Sequence, residues 1–147
     1  MLDLFSGTGS LGLEALSRGA CRVCFVDKDE QSIELLKYNT ENLLSGRPGA
    51  GSFDIIQSDV LEYLRFCNRQ KWDIIFLDPP YKIEAEMMKD IFDTIAGRGI
   101  AGRDSVLVYE FFFKRQVQYE TGIMEPVKES FFGDKKVLYL KPSEDRE

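Results

Sequence analysis

No histidine occurs anywhere in this 147-residue chain. That removes the commonest acid/base group at neutral pH and any Ser-His-Asp mechanism. Cysteine is scarce: Cys21, Cys24 and Cys67 are the whole set. Cys21-x-x-Cys24 has the spacing of half a zinc site, but a structural zinc wants four ligands. One further thiol and no imidazole cannot complete them, so no metal is expected. The pair also lies in C-R-V-C-F-V, which reads as a strand, where i and i+3 face opposite sides. Ordinary free thiols suit a reducing cytoplasm. No run of 18 apolar residues exists, so no membrane span is expected. The first residues lack the basic stretch and apolar core of a signal peptide, and a cytoplasmic location is expected. An excess of positive charge is missing too. The net charge is −6, with 8 basic and 11 acidic side chains in residues 1–77 and 11 and 14 in residues 78–147. Such an even acidity counts against a large phosphate-tracking surface and leaves room only for a local basic patch.

What is present is an alternation of short apolar runs with helical periods, at a length suited to one domain. Met1–Phe5 reads as a short strand, Ser10–Ser17 as a helix closed by Gly19, and Arg22–Val26 as a strand. Asp29–Leu44 reads as a helix, G-R-P-G-A-G at 46–51 as a turn, and Phe53–Gln57 as a strand. Val60–Cys67 is a short helix. Trp72–Leu77 is a nearly continuous apolar strand, the mark of a buried parallel one. Glu84–Ile95 is a helix and Ser105–Tyr109 a strand. Val127–Phe132 and Lys135–Leu140, separated by Gly133-Asp134, read as a hairpin. The pattern implies a doubly wound, mostly parallel α/β sheet that ends antiparallel, with one domain over 1–142 and a frayed tail over 143–147.

Near the start, D-L-F-S-G-T-G-S-L-G contains Gly7-x-Gly9-x-x-Gly12. Glycines there permit a tight turn and bring backbone N–H groups close to a ligand at a helix N-terminus. Asp27 closes the second strand 20 residues after Gly7, where a carboxylate can accept both hydroxyls of a ribose. NAD, FAD and S-adenosylmethionine (SAM) all carry such a ribose, and a tight turn with no ligand is a further reading. Asp3 leans against the dinucleotides. A carboxylate aimed into the loop repels a pyrophosphate and suits an amino group or a sulfonium.

A second stretch, W-D-I-I-F-L-D-P-P-Y, is an apolar strand ending in Asp78-Pro79-Pro80-Tyr81. The prolines stiffen the backbone at the carboxyl edge of the sheet, where ligands of such folds bind. One carboxylate, adjoining carbonyls and one aromatic ring suit the alkylation of an amine conjugated to a ring. Asp78 and the Pro79 carbonyl can accept the N–H groups and favour a pyramidal nitrogen, while Tyr81 stacks on the base. Positioning is the main catalytic contribution, worth up to ~7–11 kcal/mol in ideal cases. No strong general base is needed, in keeping with the missing histidine. Phe111, Phe112 and Phe113 could stack bases, but alternation turns part of the run into core.

With D-x-F-x-G-x-G and D-P-P-Y together, the chain resembles class I methyltransferases of nucleobase amines. The longer stretches L-D-L-F-S-G-T-G-S-L-G-L-E-A-L-S-R-G-A and D-I-I-F-L-D-P-P-Y, with the late F-G-D-K-K-V-L-Y hairpin, resemble the RsmD family. The resemblance implies a seven-stranded Rossmann-like sheet of order 3-2-1-4-5-7-6. It implies methyl transfer from S-adenosyl-L-methionine to the N2 amine of a guanine in bacterial small-subunit ribosomal RNA. The implied partner is the small subunit or an assembly intermediate, met by a monomer without membrane contact. Carried over by position, Asp3, Phe5, Ser6, Gly7, Thr8 and Gly9 hold the methionine end of the cofactor. Asp27 binds the ribose with Lys28 beside it, and Asp59 and Val60 meet the adenine. Asp78, which also touches the cofactor, Pro79, Pro80 and Tyr81 hold the target base. Asp59 is equally a good N-cap for the helix that follows. Family members carry roughly forty residues before the first strand, so here the expectation is a missing extension and an uncovered flank of the sheet. Adenine-N6 methylation of DNA or RNA, and an inactive cofactor-binding domain, stay open beside the guanine reading.

Overall fold

The computed structural model describes residues 1–114 and 122–143. The chain runs β1 (Leu2–Leu4), α1 (Ser10–Ser17), β2 (Arg22–Asp27), α2 (Glu30–Leu44), β3 (Ser52–Gln57), α3 (Val60–Phe66), β4 (Trp72–Leu77), α4 (Ala85–Gly97), β5 (Ala101–Phe112), β6 (Met124–Phe132) and β7 (Lys135–Pro142). The strands form one seven-stranded sheet of order β3-β2-β1-β4-β5-β7-β6. The first five are parallel, and β7 runs antiparallel to both β5 and β6. This is the doubly wound α/β sheet with a C-terminal antiparallel hairpin that the sequence implies.

Alternation along β2 divides the core into two layers. Val23 and Phe25 face Leu16 of α1 and Ile33 and Leu36 of α2. Cys24 and Val26 face the opposite way, toward Leu61 and Leu64 of α3 and the apolar stripe of α4. That stripe is Met88, Ile91, Phe92 and Ile95, the i, i+3, i+4, i+7 spacing of one helix face. Full burial of each such side chain contributes roughly 1.5–3 kcal/mol. Beyond α4 the Arg98 guanidinium donates to the carbonyls of Leu64 and Cys67, both at 2.9 Å, and ties the ends of α3 and α4 together.

β5 is much longer than the Ser105–Tyr109 expected. Its first half holds a β-bulge opposite Trp72–Ile74, the kind of irregularity that Gly102-Arg-Asp disguises as a turn. The buried Ser105 hydroxyl stitches the bulge, accepting from Gly102 N at 2.7 Å and donating to the Trp72 carbonyl at 2.6 Å. β6 likewise starts earlier than expected, because Pro126 is tolerated on an edge strand beside a register shift. β4 departs from a fully buried strand. Ile75 and Leu77 are buried, but Ile74 is 42% exposed, because α1 and α2 cover β1 to β3 on that face. Ser143 donates to the Ile123 carbonyl at 2.9 Å, and the remainder of the expected frayed tail, 144–147, lies outside the described residues.

Candidate active site

The carboxyl ends of β1, β2 and β4 converge because the three strands are adjacent and parallel in the sheet. The glycine bend leaves β1 here, and each glycine has its own reason. Gly7 takes φ 56° in open space, where a side chain would be strained. Gly9 takes φ 88° and lies so close to α2 that a Cβ would run into Leu36. Gly12 sits in α1 against β2, where a Cβ would strike the Phe25 ring and Val23. The third glycine therefore serves helix–strand packing.

Phe5, before the bend, takes φ 61°, a left-handed conformation that L side chains with a Cβ pay ~1–3 kcal/mol to adopt. Such strain concentrates at ligand sites. Asp27 braces the bend from β2. Its Oδ2 accepts from Gly7 N at 2.7 Å and its Oδ1 from Asp29 N at 2.9 Å. Both oxygens keep lone pairs to spare. Thr8 is held from α2, where the Asn39 amide donates to its carbonyl at 3.2 Å. Behind the bend, the Ser6 hydroxyl is buried without a partner among the described residues.

Asp3 is 1% exposed, and its Oδ2 accepts from Gly12 N at 3.1 Å. Burial pushes its carboxyl up to about 7, opposed by that hydrogen bond and assisted by the carboxylates of Asp78 and Asp27. Asp78 stands at the end of β4. Partial burial raises its carboxyl above the usual range, the Glu110 carboxylate adds to this, and the Lys135 ammonium opposes it. Asp59 both caps α3, accepting from Glu62 N at 3.1 Å, and faces the cavity described next.

A cavity of about 710 Å³ opens between the ends of β2, β3 and β4. Of the residues singled out in the sequence, it brings together Phe5, Asp27, Lys28, Asp59, Val60, Asp78 and Pro80. Asp3, Ser6, Gly7, Thr8 and Gly9 do not line it, although Asp27 links Gly7 to it. Tyr81 and Pro79 lie on its flank, in an apolar recess with Phe111 and Phe112. There the Tyr81 and Phe112 rings meet edge to face at 5.0 Å. Phe111 stacks on Tyr109 at 4.9 Å and joins the core, whereas Phe113 is exposed. Sequence reading missed Asp29, Ser58, Lys82, Ile83, Glu84 and Met87 of the cavity wall. Proximity to D-P-P-Y was the available signal for Lys82 to Met87. A larger hollow, about 840 Å³, lies at the opposite end of β5 around Arg103 and Lys141 and contains none of the motif residues. Cys24 is buried with its thiol 3.5 Å from the Tyr63 hydroxyl, and Cys21 is exposed.

The model of a family described as "Conserved hypothetical protein 95" matches residues 1–141. The chain belongs to this family. The resemblance to RsmD proteins carried by the two motifs holds accordingly. Over 81 residues the chain is 40% identical to ribosomal RNA small subunit methyltransferase D of Haemophilus influenzae, covering 54% of this chain and 40% of that protein. Over 94 residues it is 38% identical to ribosomal RNA large subunit methyltransferase K/L of Shewanella oneidensis, covering 63% of this chain and 12% of that one. The chain thus spans well under half the length of the curated relatives it matches. A solved candidate methylase of H. influenzae superposes with a TM-score of 0.80 at 25% identity, over 97% of this chain and 86% of its own. A magnesium protoporphyrin IX methyltransferase of Synechocystis, solved with bound SAM, superposes at 0.71 with 18% identity, over 97% of this chain and 69% of its own, and at that identity shows the fold alone. No described helix is long and apolar enough to cross a membrane.

Proposed function

We propose that this chain is the catalytic domain of a SAM-dependent methyltransferase. Its target is the exocyclic N2 amine of a guanine in small-subunit ribosomal RNA, met in the subunit or an assembly intermediate. The observation that carries the reading is the cavity joining the β2 and β3 carboxylates to Asp78 and Pro80, with Pro79 and Tyr81 in the recess on its flank. Its volume is within the roughly 300–1,000 Å³ of small-molecule sites. Its wall carries Asp27, Asp29, Asp59, Asp78 and Glu84 against Lys28 and Lys82, an excess of negative charge. That balance repels the pyrophosphate of NAD or FAD and suits a nucleoside bearing an ammonium and a sulfonium. Asp27 has lone pairs left for a ribose, and Asp59 with Val60 can meet an adenine.

Bound there, SAM would supply a methyl group on a sulfonium; the sulfur would leave as a neutral thioether and the N2 proton would pass to solvent. The protein's share is placement. Asp78 and the Pro79 carbonyl accept the two N2–H bonds and turn the lone pair out of the ring plane. Tyr81, held at its edge by Phe112, offers a face on which the flipped base stacks.

Two measurements test this. Calorimetry with S-adenosylhomocysteine and with NADH should show binding of the first only, and tight NADH binding overturns the reading. Tritium transfer from labelled SAM to undermethylated small subunits should end in N2-methylguanine. Label found only in adenine rejects the guanine target.

A further inference from the structure

On the open side of the Asp78 corner lies an ion pair that nothing above uses. Phe76 pairs with Val108 and Leu77 with Tyr109 across the parallel β4–β5 ladder. One step further along that register puts Glu110 beside Asp78, and the pleat turns both to the same face. Lys135 of β7 reaches the same place. Its ammonium donates to Glu110 Oε1 at 2.7 Å and lies over the Phe112 ring, 5.5 Å from its centroid. Phe112 in turn touches Tyr81. Carboxylate, ammonium and stacking ring therefore form one continuous wall with Asp78. Glu110 and Lys135 are both part-exposed, so each has capacity beyond the other. Both groups stand near enough to act on the Asp78 carboxyl, which burial raises first, Glu110 adding to the rise and Lys135 opposing it.

We propose that Glu110 and Lys135 read the Watson–Crick edge of the target purine, with Glu110 accepting from N1–H and Lys135 donating to O6. The proposal rests on the methyltransferase reading above. Guanine presents N2–H, N1–H and O6 in that order along one edge, as donor, donor, acceptor. Asp78, Glu110 and Lys135 offer acceptor, acceptor, donor along the wall. Adenine with its N6 amine at Asp78 would turn an unprotonated N1 toward the Glu110 carboxylate, acceptor against acceptor. The pair thus selects guanine by hydrogen bonds gained and by repulsion of the alternative.

The test compares two RNAs that differ only at the target base, guanine or 2-aminopurine. The analogue keeps the 2-amine but lacks N1–H and O6. Wild-type protein should methylate guanine with kcat/KM about 100-fold above the analogue, since a site built for hydrogen bonds rejects a base that cannot make them. Glu110→Ala and Lys135→Met should each cut that ratio to about tenfold, and the double variant should bring it within about threefold of unity, with S-adenosylhomocysteine affinity unchanged. A merely structural ion pair would lower both rates together and leave the ratio intact. Wild-type protein indifferent to the analogue, or variants that keep the wild-type ratio, overturns the proposal alone. Protein that binds S-adenosylhomocysteine yet methylates neither RNA overturns the methyltransferase reading and this proposal with it.

Discussion

Replacing Asp3 by Asn should remove a specific pH dependence from folding stability. Asp3 is 1% exposed, and its carboxyl rises from an ordinary 3.8 to about 7 in the folded protein. Below pH 4 the group is protonated folded and unfolded alike, and it contributes no penalty. Between pH 4 and 7 the unfolded chain has released the proton and the folded protein keeps it. Stability is then lost as pH rises, at about 1.4 kcal/mol per unit. Over the whole span the loss is about 4 kcal/mol, complete once pH exceeds the folded value. That is a large part of the roughly 5–15 kcal/mol stability of a domain. Asn at this position can still accept from Gly12 N but does not titrate. The assay is urea unfolding of wild type and Asp3→Asn at pH 4.5, 5.5, 6.5 and 7.5. The difference between the two stabilities should shift steadily in favour of Asn across this range and level off above it. The constant offset reflects how the Asn amide packs and does not affect the slope. Parallel profiles would show that Asp3 ionises freely, and the argument from burial would fail.

Outcomes are expected for four further variants. Asp78→Ala should abolish methyl transfer while S-adenosylhomocysteine affinity, read by calorimetry, stays within about tenfold, since the lost contribution is orientation of the amine. Gly12→Ala should destabilise by about 1–3 kcal/mol through collision with Phe25, a cost of overpacking. Gly7→Ala has open space and should lose about 1–2 kcal/mol from its left-handed φ alone, both variants being read by thermal unfolding. Ser105→Ala strands the Gly102 N–H and the Trp72 carbonyl and should cost about 1–3 kcal/mol in urea unfolding.

The parallel half of the fold was legible because each element there carries its own local signal. Apolar runs such as V-C-F-V end at glycine or at a capping aspartate, and Asp29 and Asp59 do accept the N-cap hydrogen bonds of α2 and α3. β5 was misread because its bulge depends on a hydroxyl bridging to Trp72, 33 residues away in sequence. The site was legible to the extent that it is contiguous: the glycine bend and D-P-P-Y each lie in one run of residues. Asp3 was expected to aim into the loop and is instead enclosed beneath it, bonded to Gly12. Burial of a carboxyl depends on what packs over it, which no local pattern encodes. The Glu110–Lys135 pair was invisible for a related reason. Its partners belong to different strands, and only the β5–β7 register, which sets Lys135 opposite Phe112, brings them to Asp78.

The acidic groups of this edge also bear on why a cationic ligand is the one to expect. Burial first, and then the charges of Asp78 and Asp27, hold Asp3 protonated, so this edge already resists a further carboxylate in the folded protein. Among the described residues of the cavity wall, only Lys28 and Lys82 bring opposing charge. Like charges gathered in a partly desolvated cleft destabilise the fold unless something relieves them. Phe5 adds backbone strain at the same place. A structural role would favour the opposite arrangement, with carboxylates paired and the backbone relaxed. If SAM binds in the cavity as proposed, its positive charge relieves this crowding and should lower the Asp3 carboxyl, releasing its proton to solvent. The affinity for SAM should therefore rise with pH up to about 7, the value at which Asp3 itself ionises.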